Sequence, residues 1–117
     1  MGYNLFLDDL RTVDMVYDKS RVSEFVVVRT YTEFVTHIVE NGLPEFISFD
    51  NDLGLDETGE VAQDGYAAAK WLVYESGLDL RELKFKVHSA NPVASKQIQG
   101  LLENYIRHLQ AESKLNS

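Results

Sequence analysis

Two short stretches carry acids where apolar runs end. LFLDDLR, residues 5 to 11, runs into Asp8 and Asp9, and ISFDNDLG, residues 47 to 54, runs into Asp50 and Asp52. A third run, KFKV at 84 to 87, ends at His88 and Ser89. Carboxylates are seldom fully buried unless they are paired or bind a metal. Two unit charges 4 Å apart repel by about 1 kcal/mol in bulk water and by roughly 4 kcal/mol at an effective dielectric near 20. Four aspartates brought together would therefore share protons or hold a divalent cation. The alternative is that each is a solvated strand end or helix cap. The chain has no cysteine, and all-oxygen ligation by Asp8, Asp9, Asp50 and Asp52 suits Mg²⁺ or Mn²⁺ better than zinc.

An acidic metal site commonly handles phosphate, because the cation offsets repulsion between carboxylate and phosphate oxygens. Arg11 and Arg29 each follow an apolar run closely and supply positive groups; alternatively they only neutralise the neighbouring aspartates. His88 has the side chain for general acid or base work near neutral pH, and it could equally be a hydrogen-bonded structural residue. His37 and His108 fall on helical segments and take no role. Glycine-rich phosphate loops, a Ser-His-Asp order and paired metal histidines are absent.

These residues need elements to position them. Asn4 to Leu7, Phe25 to Val28, Glu45 to Phe49 and Lys84 to Val87 read as four short strands, each followed by polar residues. Thr30 with Glu33 forms a capping box for a helix whose apolar face is Phe34, Val35, Ile38 and Val39, closing at Asn41-Gly42. A second helix starts at Asp64 as N-cap, turns Ala68, Trp71 and Leu72 inward and stops at Gly77. Tyr66 packs there or stacks on a base. A third opens with Asn91 and Pro92 and carries Ala94, Ile98, Leu101, Leu102, Tyr105 and Leu109 at helical spacing. Its N-terminus, just after Ser89, adds free N–H groups and a positive dipole end. The segment from Thr12 to Glu24 is a loop or one poor helix, and residues 55 to 64 are an exposed acidic loop.

Alternating strands and helices predict an α/β fold with a parallel sheet covered on both faces, whose ligands bind outside the strands' carboxyl ends. The 117 residues form one domain over 1 to 117, with a core of about 3 to 109 and a frayed tail from 110 to 117. Without cysteine, signal peptide or apolar anchor, a cytoplasmic location and no membrane partner are expected. The net charge of −8 disfavours binding a long nucleic acid and leaves room for a small anion or a strand terminus.

LFLDDLR, VVVRTY at 26 to 31, ISFDNDLG, GYAAAKWL at 65 to 72 and VHSANPV at 87 to 93 together resemble the cyclic-phosphate processing receiver domain family. The resemblance spans residues 5 to about 106. It implies a three-layer receiver-like fold of about four strands and three clear helices. It also implies phosphoesterase activity on a small cyclic-phosphate nucleotide or an RNA terminus, of the kind met in RNA repair. It places a metal at Asp8, Asp9, Asp50 and Asp52, with Arg11, Arg29, His88, Ser89 and Asn91 around the phosphate. In this scheme Ser89 orients the phosphate, His88 shuttles the proton, and Asp50 is a metal ligand or the nucleophile. One departure is Asn51, where many relatives are expected to carry histidine; if that histidine is catalytic, this protein is impaired and His88 has to carry proton transfer alone. Ordinary receiver domains share the acids, a phosphorylatable aspartate at the Asp50 position and the Ser89 hydroxyl, but their fifth strand and its lysine have no counterpart. A non-catalytic module phosphorylated at Asp50, or a nucleotide sensor that does not turn its ligand over, is the rival reading.

Overall fold

The computed structural model describes residues 3–8, 12–50, 65–88 and 92–115. Four strands, β1 (Asn4–Leu7), β2 (Phe25–Val28), β3 (Phe46–Phe49) and β4 (Lys84–Val87), form one sheet in the order β2-β1-β3-β4. Every neighbouring pair is parallel. Each strand is four residues long; β1, β2 and β3 are mainly branched and aromatic, β4 alternates lysine with Phe85 and Val87, and β1 and β3 at the centre are almost wholly buried. Three helices, α1 (Tyr31–Asn41), α2 (Gly65–Tyr74) and α3 (Pro92–Leu115), complete a receiver-like α/β fold.

The strand order explains how the faces are covered. From β1 to β2 the chain moves one way across the sheet, while β2 to β3 and β3 to β4 move the other way. Parallel crossovers are right-handed, so the first connection must lie on the face opposite to the others. The pleat agrees: Leu5, Leu7, Ile47 and Phe49 join Phe34, Ile38, Ala68, Leu72, Ile98 and Leu102, from all three helices, in the main core. Phe6 on the reverse face packs with Val13 and Phe25, backed by Val16, Tyr17 and Phe46. Both faces are covered as expected, but the second is closed by the segment 12 to 24, folded as two 3₁₀ turns, Val13–Met15 and Lys19–Glu24.

Local signals fix the helix ends. The Thr30 hydroxyl accepts from Glu33 N at 3.1 Å, and Glu33 Oε1 accepts from Arg29 N at 3.0 Å. Gly42, at φ 86° and ψ 175°, ends α1 in a region open essentially to glycine alone. Val39 is a correction to the predicted apolar face: it is 70% exposed, and only Phe34 and Ile38 are fully buried on α1, with Val35 packed partly against the core. Trp71 packs against the core and meets Phe34 edge-on at 6.3 Å. Helix α3 runs to Leu115, through most of the segment predicted to fray. The predicted N-cap Asp64 and the loop 55 to 64 lie outside the described residues.

Candidate metal and phosphate site

The ladder delivers the chemistry-bearing residues as one row. Leu7 pairs with Val28 and Phe49, and Phe49 with Val87, so the next step along the strands is Arg29, Asp8, Asp50 and His88. Three backbone bonds carry the ladder into that row: Asp8 N to Val28 O at 3.2 Å, Asp50 N to Leu7 O at 2.9 Å and His88 N to Phe49 O at 2.8 Å. Their main chains are thus held by the sheet, while their side chains stand at its carboxyl rim. The row crosses the β1/β3 boundary, where the strand order changes direction and open α/β sheets place their ligands.

Asp8, at 1% exposure, and Asp50, at 7%, are buried carboxylates side by side on adjacent strands. His88 reaches across: Nε2 lies 3.0 Å from Asp8 Oδ2, and its side chain is only 3% exposed. One ligand atom from each of Asp8, Asp50 and His88 lies within 4.8 Å of the other two. Donor atoms grouped this closely could hold a metal ion. Arg29 donates from Nη1 to the Asp8 main-chain carbonyl at 3.0 Å, which brings its side chain to the same end of β1.

His88 is fixed on several sides. Its ring stacks on Phe6, with centroids 4.7 Å apart and planes 6° from parallel. Its Nδ1 lies 2.6 Å from Ser48 Oγ, which in turn lies 2.8 Å from the Tyr17 hydroxyl. No buried side-chain polar atom among the described residues lacks a partner.

A model of the cyclic-phosphate processing receiver domain matches residues 3–104. The chain belongs to that family. No curated protein and no solved structure matches it. As a cyclic-phosphate processing receiver domain it presents Asp8, Asp50, His88 and Arg29 together at the rim. Asp9, Arg11, Asp52, Ser89 and Asn91 lie outside the described residues, as does Asn51. His88, predicted to transfer a proton, stands with the two aspartates in a group that could hold a metal ion. Ser48 and Tyr17 escaped the sequence reading. Ser48 had a signal, being the one polar residue in the strand FISF and two positions before Asp50, hence on the same face. Tyr17 had none, because its partner is 31 residues away in a segment without clear periodicity. Tyr66 packs partly against the core and carries Lys70 Nζ over its ring at 4.8 Å. Among the described residues, no helix is long and apolar enough to cross a membrane.

Proposed function

We propose that this receiver-like domain is a metal-dependent phosphoesterase that opens cyclic phosphates of nucleotides or RNA ends. The observation that carries the reading is the convergence of Asp8, Asp50 and His88 at the switch point of a member of a family described as processing cyclic phosphates. These three would hold Mg²⁺ or Mn²⁺, with Asp9 or Asp52 as further oxygen donors. When bound, the ion supplies Lewis-acid polarisation of the phosphoryl oxygens.

The chain's own groups supply the rest. Arg29, tied to the Asp8 main-chain carbonyl, is assigned to neutralise the phosphate, and Arg11 is assigned the same task. Ser89 and Asn91, which precede α3 in the sequence, are assigned to orient the phosphate. Ring opening forms a P–O bond to water or to Asp50 and breaks the bond to one ester oxygen, which takes up a proton. Water provides that proton, because both ring nitrogens of His88 already have side-chain partners, which favours its holding role.

The test is ³¹P NMR of a 2′,3′-cyclic nucleotide mixed with the protein and Mn²⁺. New monoester signals, absent in Asp50→Ala with the fold retained, are the expected result. Turnover retained in that variant would reject the site. No turnover, together with Mg²⁺-dependent beryllofluoride binding at Asp50 and a structural response, would favour a phosphorylated signalling module.

A further inference from the structure

We propose that Ser48 and Tyr17 are positioning residues of this site, forming a hydroxyl chain that sets the His88 ring so that Nε2 faces Asp8 and Asp50. The proposal rests on the cation reading above. Phe6 fixes the plane of the ring by stacking, which leaves a choice between two orientations related by a half-turn about the Cβ–Cγ bond. Ser48 does this from one side, 2.6 Å from Nδ1, and Asp8 from the other, 3.0 Å from Nε2. A ring turned over would present C–H groups to both partners. Ser48 is fully buried in β3, so its hydroxyl must find partners inside the protein.

Tyr17 secures the outer end. Its ring stacks on Phe25 at 5.2 Å and meets Phe46 edge-on at 6.4 Å. The cations of Arg21 and Lys86 lie 5.0 Å and 5.6 Å from its centroid. These contacts hold the phenol over Ser48 without using its oxygen. The half-buried Tyr17 therefore links an enclosed hydroxyl to solvent.

The chain also has a direction. An ionised Asp8 only accepts, so Nε2 carries the proton; a neutral ring then accepts at Nδ1 from Ser48, and Ser48 accepts from Tyr17. With Nε2 engaged by a cation, the ring proton must sit on Nδ1 and donate to Ser48, which donates to Tyr17. The exchange would balance: Nε2 releases one proton to water, Ser48 passes one to Nδ1, Tyr17 passes one to Ser48, and Tyr17 takes one back from water. Metal-bound histidines commonly donate from their other nitrogen in this way, and loss of such a partner typically weakens metal binding by about 10- to 100-fold.

The experiment reads the His88 tautomer by ¹H–¹⁵N NMR of the ¹⁵N-histidine-labelled chain, ion-free and with Mg²⁺, and Mn²⁺ affinity by calorimetry. The wild type is expected to show an Nε2–H ring that becomes Nδ1–H with Mg²⁺. Ser48→Ala is expected to mix the ion-free tautomers and to weaken Mn²⁺ binding by about 10-fold. Tyr17→Phe, which keeps the ring packing, is expected to move both readouts in the same direction by less, and it carries the test if Ser48→Ala does not fold. Wild-type tautomer and affinity in both variants would overturn the proposal. If the wild-type chain binds neither ion, the cation reading fails, and the ion-free tautomer still judges the hydroxyl chain: a single Nε2–H form lost in the variants supports it, and an unchanged form overturns it.

Discussion

Asp8 and Asp50 are costly residues to bury side by side, and the partners around them offset that cost. His88 pairs with Asp8, Arg29 reaches the Asp8 carbonyl, and a bound cation would neutralise both acids. Away from the site, Tyr3 shows how one hydroxyl ties two elements. It donates to the Gly42 carbonyl at 2.6 Å, joining the start of β1 to the end of α1, and burial raises its pKa above the ordinary phenol value. A raised folded pKa means that the neutral phenol is favoured in the native state. Its contribution is thus full below about pH 10 and is lost as pH rises through the folded value. Tyr3→Phe is expected to cost about 1 kcal/mol at pH 7 in urea unfolding, with the difference from wild type shrinking above pH 10. A difference that grows with pH would contradict this assignment. At this scale the sequence exposed the acids, because carboxylates ending apolar runs are conspicuous. It could not expose the Tyr17–Ser48–His88 contacts, which join residues 31 and 40 positions apart.

Elements were legible where their signals are local. The Thr30 cap, the Gly42 stop and the β-branched strands each depend on residues a few positions apart, and each strand boundary agrees to within a residue. The segment 12 to 24 resisted because its 3₁₀ turns are held by Phe6, Phe25 and Phe46, not by a repeating pattern. Val39 was misplaced because its apolar neighbours suggested a wider buried stripe than α1 presents. Gly42 offers a clean test of element-level control. A Cβ there meets no atom within 4 Å, so the effect of a substitution comes from the backbone alone. Gly42→Ala is expected to destabilise the fold by roughly 1–3 kcal/mol without altering cation binding. A neutral effect in thermal or urea unfolding would show that the chain can leave this conformation freely.

For the whole molecule, crossover handedness and strand order determine where function can sit. The order β2-β1-β3-β4 puts three helices on one face, a 3₁₀ segment on the other, and the functional row at the turning point between β1 and β3. The net charge of −8 then limits what can approach. A mononucleotide or an RNA end needs few phosphate contacts, whereas a long strand would meet general repulsion. Affinity for a cyclic-phosphate-terminated RNA is therefore expected not to rise with its length, with a shallow salt dependence; a rise with length and a steep slope from many phosphate contacts would contradict it. The account stands on Asp8, Asp50 and His88 acting as a single cation site. Calorimetric titration of Mn²⁺ into the wild-type chain and into Asp50→Asn tests that most directly. One ion per chain in the wild type and none in the variant is the result the account requires; equal binding by the two, or none by either, would contradict it.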